Sequence, residues 1–369
     1  MFALRRTENR DKLGLAWLAT AWPLRGAKHR RAERFLGTVA FTERGATLMK
    51  SLDFGRYALC SCVAAAMLAA CGGSRPPIGA PGAMPQRYAI ATHTKKPVSG
   101  ELLYASDNEG GAIRVFSYPQ GGLVQTLTGF AAPPFYVCSD GRGNVFVPTT
   151  NLQSPGYIYE FAHGGTQPIE TLADPGPGWA LSCSVDPTTG NLAVANGNNV
   201  VVYPNAQGTP TIYEASDVGA WDCAYDGSGD LFVDGHSYGN KIAELPVGGA
   251  SFLDITLNES VAWAHLLWWD KRLVTGGYSR SVHGPIEVFQ VSISGSNGIV
   301  SGPVLLYGKS KHRPGTADEF ALSGDTLVMP EGPGDSLLNL WHYPKGGKPY
   351  KVLDQRPRDY DFYGVAISK

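Results

Sequence analysis

The chain lacks the residue patterns that announce the commoner chemistries. Its eight histidines include no H-x-H or H-E-x-x-H spacing, which excludes the zinc arrangements built on those spacings. The Asp-Gly stretches 140–144 and 226–230 lack the D-x-[DN]-x-[DN]-G order of a calcium loop, and both fall at one hairpin position, which marks them as turns. Gly235-His236-Ser237-Tyr238-Gly239 matches G-x-S-x-G, but a nucleophile elbow needs a helix after the serine. Residues 241–245 read as a strand, so the match is a loop. Long apolar runs are missing too. The uncharged run at 57–70 has fourteen residues, short of the roughly 17–25 of a membrane-spanning helix.

That short run has the form of an export signal instead. Lys50 and Arg56 precede it, and Leu68-Ala69-Ala70-Cys71-Gly72-Gly73-Ser74 closes it with small residues around a cysteine. The segment resembles the processing site of bacterial lipoproteins, whose cysteine thiol receives a diacylglycerol before cleavage. The resemblance implies lipidation at Cys71 and a protein exported and anchored to a bacterial membrane, on a periplasmic face or the cell surface, with that membrane as partner. Counted from Met49, residues 49–70 have the proportions of a normal signal peptide. Residues 1–48 are rich in arginine and read as a mis-assigned upstream start or as a basic extension. Residues 71–99, rich in Pro, Gly and Ala without apolar period, are expected to be a flexible tether.

The charge divides at the same place. Residues 1–70 carry 12 Lys+Arg against 5 Asp+Glu, and residues 71–369 carry 19 against 27, so +7 and −8 lie behind the total of −1. An acidic exported part repels phosphate backbones and excludes nucleic acid as a partner.

From residue 100 onward one pattern returns: an aromatic-led strand, a tight turn, a strand, a loop, a strand, a Gly-rich turn and a strand. Its first half is clear at 135–147, 180–194 and 220–233, with weaker copies at 262–274 and 319–329. The second half recurs at 113–127, 158–172, 200–214, 241–257, 286–308 and 337–353. Alternating apolar residues and Asp-Gly or Gly-Gly turns support strands and hairpins. A period of about 40–50 residues with four short strands per unit predicts propeller blades. Residues 361–368 supply the first strand missing before 101–107, so the expected fold is an all-β, six-bladed propeller over 100–369, closed by the N-terminal and C-terminal strands in one blade.

The stretches SCSVDPTTGNLAVAN (182–196) and VCSDGRGNVFVPT (137–149) resemble the repeat of NHL-type six-bladed propellers. That resemblance implies the fold more than a function, because such propellers serve as binding platforms, lactonases and lyases.

Each predicted inner strand is entered through an aromatic: Phe135, Trp179, Trp221, Trp263, Phe320 and Phe362. Loops joining second and third strands add Asp107, Asn151, Asn196, His236, Arg280, His283, Glu331 and Asp335 to the same face. Rings with convergent polar groups make a site for a small molecule, glycan or protein at the channel mouth. His265, near Asp222, Asp318 or Glu319, is the one candidate base or ligand on an inner strand. Cys138, Cys183 and Cys223 hold equivalent places on three consecutive inner strands. Blade spacing is expected to keep them beyond the ~7 Å Cα limit of a disulfide, so they read as three small buried hydrophobes. The sequence therefore predicts a monomeric binding platform, with no catalytic residue, no metal and no cofactor. The alternative is a channel-centred, metal-assisted lactonase, hydrolase or lyase on the same propeller.

Overall fold

The computed structural model describes residues 100–369 apart from 151–155, 176–177, 216–217, 236–237, 263–264, 277–283, 309–318, 332–335 and 356–359. The extension, signal segment and tether with Cys71 lie outside the described residues, as do Asn151, His236, Ser237, Trp263, Arg280, His283, Asp318 and Asp335.

In chain order the strands are β1 (Leu102–Asp107), β2 (Ala112–Ser117), β3 (Leu123–Leu127), β4 (Cys138–Ser139), β5 (Val145–Thr149), β6 (Tyr157–Phe161) and β7 (Glu170–Ala173). Next come β8 (Ser182–Val185), β9 (Leu192–Ala195), β10 (Asn199–Tyr203), β11 (Thr211–Glu214), β12 (Asp222–Tyr225), β13 (Leu231–Asp234), β14 (Tyr238–Leu245) and β15 (Leu253–Ala262). The last are β16 (His265–Trp269), β17 (Arg272–Gly276), β18 (Ile286–Ser294), β19 (Asn297–Leu306), β20 (Ala321–Ser323), β21 (Thr326–Pro330), β22 (Leu337–His342), β23 (Lys351–Asp354) and β24 (Phe362–Ser368).

These strands form an all-β, propeller-like arrangement of antiparallel sheets. Four sheets have four strands each: β24-β1-β2-β3, β4-β5-β6-β7, β8-β9-β10-β11 and β20-β21-β22-β23. The fifth has eight, in the order β12-β13-β14-β15-β19-β18-β17-β16, because β15 and β19 meet in a short parallel pair, Thr256↔Asn297 and Leu257↔Gly298. The C-terminal β24 pairs with β1, from Leu102↔Ser368 to Asp107↔Phe362, so the two ends of the domain share one sheet.

Burial peaks at the second strand of each blade-like unit, between the half-buried channel strands β4 and β20 and the outer edges. The second strands β1, β5, β9, β13 and β21 are buried at every position, whereas β3, β7 and β11 at the outer edges are largely exposed or half-buried. A strand covered on both faces needs no polar alternation, which is why Leu231-Phe232-Val233 reads as a continuous apolar run. Five of the six core clusters join two successive sheets, and the sixth joins the two halves of the eight-stranded sheet. Leu103 and Phe116 of the first sheet pack with Val328, Leu338 and Leu340, while Leu102, Tyr104 and Val115 pack with Val145, Val147 and Phe161. Full burial of such a side chain stabilises by about 1.5–3 kcal/mol.

One inter-strand turn departs from the repeat. Asp270 and Lys271 replace the turn glycine between β16 and β17, and both adopt positive φ, 48° and 62°. Their neighbours hold that turn in place. Trp268 stacks on Phe232 at 6.3 Å, and Trp269 meets Tyr343 edge-on at 5.1 Å.

Candidate functional site: the channel mouth

The inner strands β4, β8, β12, β16, β20 and β24 line a central cavity of about 220 Å³. Strands that converge this closely leave room for small side chains, and those side chains link neighbour to neighbour. Ser139 Oγ donates to the Ile367 carbonyl at 2.9 Å, joining β4 to β24. The Tyr225 N–H donates to Ser184 Oγ at 3.0 Å, joining β12 to β8.

The cysteines correct the sequence expectation. Cys138 and Cys183 form a disulfide between β4 and β8, with Cα atoms 5.7 Å apart. Around this narrow channel adjacent inner strands come within disulfide reach, closer than the spacing expected from the repeat. Cys223 is free and buried. Burial, with Asp222 and Asp234 adding to it, pushes its thiol well above the ordinary value. It behaves as the small buried hydrophobe expected of all three.

His265 and Asp222 come together as the sequence allowed. Asp222, 1% exposed, is a hub for three inner strands. Its Oδ1 accepts from Ser182 Oγ of β8 and from the Cys223 N–H at 2.7 Å. Its Oδ2 accepts from the Leu266 N–H of β16 at 2.8 Å and contacts His265 Nδ1. A carboxylate that accepts on both oxygens requires Nδ1 to be the donor of this contact. The His265 ring meets Phe320 edge-on at 4.7 Å and lines the cavity. Asp234 stands directly opposite Asp222 in the β12–β13 pair. Its buried Oδ2 has no hydrogen-bond partner among the described residues, and burial, with Asp222 beside it, raises its carboxyl well above 3.8.

Glu319 closes the other side. Its Oε2 accepts the Val137 N–H at 3.1 Å, and a Cβ at Gly364 would overlap that carboxylate, so the close approach requires glycine there.

The rim aromatics separate into two groups. Trp179 and Trp221 meet edge-on at 5.7 Å, and Phe135 meets Tyr363 edge-on at 5.7 Å; all four rings are half-buried. They stand at the entries of β8, β12, β4 and β24, which are consecutive around the channel. Tyr363 was not singled out in the sequence, since it lies one residue inside the strand whose leading aromatic is Phe362. Phe362 is 0% exposed, wedged between Phe116 and Tyr360, and offers no surface to a ligand. Phe320 is 1% exposed, and its contact is with His265 inside the channel rather than at the rim.

The described loop residues that were expected to converge on the mouth are buried and bonded to other residues of the sheets. Asp107 accepts from Arg114 Nη2 at 2.6 Å and Nε at 2.9 Å, and from the N–H groups of Gly110 and Asp361 at 3.1 Å each. Asn196 Nδ2 donates to Asp174 Oδ1 at 3.1 Å, and Glu331 accepts from Asn339 Nδ2 at 2.9 Å. On the turns joining first and second strands, Asp140 Oδ1 accepts from the N–H groups of Arg142 and Asn144 at 2.9 and 2.7 Å. Asp226 Oδ1 accepts from those of Ser228 and Asp230 at 2.7 and 2.9 Å. These carboxylates cap their own turns. Among the described residues, no three His, Cys, Asp or Glu side chains converge as a metal-holding group.

No family model matches the chain, and no curated protein matches it in sequence. Among solved structures, a protein of unknown function from Bacteroides caccae is similar over 73% of this chain and 100% of its own, at 12% identity and a TM-score of 0.53. That is a likeness of fold. Kuenenia stuttgartiensis hydrazine synthase aligns over 69% of this chain and 80% of its own, at 12% identity and a TM-score of 0.47.

Proposed function

We infer that residues 100–369 are a six-bladed propeller, exported and held to a bacterial membrane through a lipid on Cys71. It serves as a binding platform whose ligand, a small molecule or glycan, sits at the channel mouth. The blade count is supported by the eight-stranded sheet, which divides into β12–β15 and β16–β19 joined through two residue pairs at their outer edges. Export is supported by the Cys138–Cys183 disulfide, a bond that persists in oxidising compartments.

One observation carries the binding reading: the arc of half-buried rings Trp179, Trp221, Phe135 and Tyr363 at consecutive inner-strand entries of the channel. Aromatic faces with an apolar body and a polar edge are the usual anchors of small-molecule and glycan sites. The metal-assisted enzyme reading needs carboxylates or imidazoles aimed into the channel from several blades. Asp222 and the Glu319 Oε2 atom instead accept backbone N–H groups of neighbouring inner strands.

The test is metal content by elemental mass spectrometry on the purified protein, with melting curves in the presence and absence of chelator. A binding platform retains its melting temperature in chelator. About one calcium or zinc ion per chain, with a melting temperature that falls in chelator, favours the enzyme.

A further inference from the structure

The chain that leads from Cys71 joins the propeller at a definite place. Gly100 leads into β1, whose first residue Leu102 pairs with Ser368, the last residue of β24. The mouth is at the other end of the same two strands, where Asp107 pairs with Phe362 and Tyr363 meets Phe135. The six residues of β1 set the two ends roughly 20 Å apart. Three connections between third and fourth strands flank the exit. In the first, between β6 and β7, His163 Nε2 lies 3.1 Å from the Gly100 carbonyl and Nδ1 2.6 Å from Ser368 Oγ. In the second, between β2 and β3, the Tyr118 N–H donates to the Glu101 carbonyl at 2.9 Å. The third, between β22 and β23, adjoins the second, because Lys351 Nζ donates to the Pro119 carbonyl at 2.6 Å. Each gives way to an exposed apolar side chain: Ile169 is 57% exposed, Leu123 37% and Tyr350 46%. Single exposed apolar residues are ordinary, but three set around one chain exit mark an interaction surface. Lys345 and Lys348, on the third connection, are exposed and make no ion pair among the described residues.

We propose that this face rests on the phospholipid bilayer that holds the lipid of Cys71, and that the mouth points away from the bilayer into the aqueous phase. This rests on the reading of the chain as a lipoprotein with a ligand site at the mouth. It adds the surface that meets the membrane and the direction from which the ligand enters. Residues 71–99 put 29 positions between the lipid and the domain. A coil of that length spans roughly 30 Å, against a radius of gyration of roughly 18 Å for a domain of about 270 residues, so the anchor keeps the face of exit nearest the bilayer. Tyr350, Leu123 and Ile169 enter the headgroup layer, and Lys345 and Lys348 lay their aliphatic stems along it with their ammonium groups on the phosphates. Glu101 and Glu170 lie at the same end, with Lys369 Nζ 3.9 Å from Glu101. A face that carries both signs suits headgroups that pair a phosphate with an ammonium. A mouth on the far side takes a water-borne ligand rather than a lipid of the same bilayer.

Hydroxyl-radical footprinting with peptide mapping by mass spectrometry tests this. The protein is expressed as the full chain in a bacterial host, purified from its membranes and reconstituted into vesicles of phosphatidylethanolamine and phosphatidylglycerol. The reference is the mature chain with Cys71→Ser, which carries no lipid and stays in solution. The expected result is a severalfold fall in the oxidation of Tyr350 on vesicles, with Trp179, Trp221 and Tyr363 oxidised as in solution. Two lysines at an anionic surface are together worth on the order of thirtyfold in the balance between docked and undocked states. The Lys345→Glu, Lys348→Glu double variant therefore stays anchored through its lipid but returns Tyr350 to the reactivity of the soluble reference.

Tyr350 oxidised on vesicles as in solution, or Trp179, Trp221 and Tyr363 protected in its place, overturns the inference and leaves the lipid anchor standing. A double variant as well protected as the wild type overturns the part given to the lysines. A membrane-purified protein whose intact mass shows no diacylglycerol on Cys71 overturns the lipoprotein reading, and the inference with it.

Discussion

Replacing Asp222 by Asn is the most informative single change, because the hub fails in a way that can be worked out atom by atom. The amide keeps one acceptor oxygen and turns the other into a donor. Ser182 can rotate its hydroxyl to accept, and His265 can change tautomer to accept at Nδ1. The backbone cannot adapt. If the nitrogen takes the Oδ1 place it faces the Cys223 N–H, and if it takes the Oδ2 place it faces the Leu266 N–H. One buried N–H is stranded either way, at about 1–3 kcal/mol. With the loss of charge assistance to the remaining bonds, the expected total is about 2 kcal/mol or more. For a domain of about 270 residues that lowers the melting temperature by roughly 3–4 °C. Asp222→Ala strands all the donors and is expected to cost about 3–5 kcal/mol. The assay is chemical denaturation of both variants beside the wild type. An Asn variant within about 0.5 kcal/mol of wild type would refute the hub as a load shared by three strands.

Three further changes probe the ring. The Cys138–Cys183 bond closes a segment of 45 residues, so Cys138→Ser with Cys183→Ser is expected to cost about 2–4 kcal/mol in denaturant, and peptide mapping of the native protein is expected to find Cys223 as the free thiol of the three. Arg114→Ala leaves the buried Asp107 carboxylate without its ion pair and removes the guanidinium 4.4 Å from the Tyr360 ring; a loss of about 3 kcal/mol is expected, and Arg114→Lys recovers only part of it. Asp234 holds its proton in the folded state to higher pH than in the unfolded chain, so the unfolded state ionises first. Stability therefore declines as pH rises from 3.8 toward the raised folded value. Asp234→Asn is expected to be more stable than wild type at neutral pH, and denaturation across that range is expected to show the decline in wild type alone.

Strand positions were legible because each blade repeats a local pattern. The run at 220–233 covers β12 and all but the last residue of β13, and the run at 337–353 covers β22 and all but the last residue of β23, since hairpin turns and apolar runs are properties of neighbouring residues. What escaped depends on distance across the ring. The repeat period places Cys138 and Cys183 in equivalent positions but says nothing about how near the axis they lie, and 5.7 Å follows only from the narrow channel. The β15–β19 pairing is a contact between outer edges of different repeats, which no period encodes. The role of Asp222 was half-visible. Its place beside His265 follows from register, but its two backbone donors come from its own strand and from β16. Phe362 shows the limit of reading a leading aromatic as a mouth residue, because one position decides whether the ring faces the rim, as Tyr363 does, or the core.

The most direct test of the mouth as a binding site is a melting-temperature screen of the protein against neutral glycans, with the Trp179→Ala, Trp221→Ala double variant in parallel. The account predicts that at least one glycan raises the melting temperature of the wild type and leaves that of the double variant unchanged, with an affinity loss of about 2 kcal/mol or more for the pair. Glycans that stabilise both proteins equally, or none that stabilises the wild type, would contradict it.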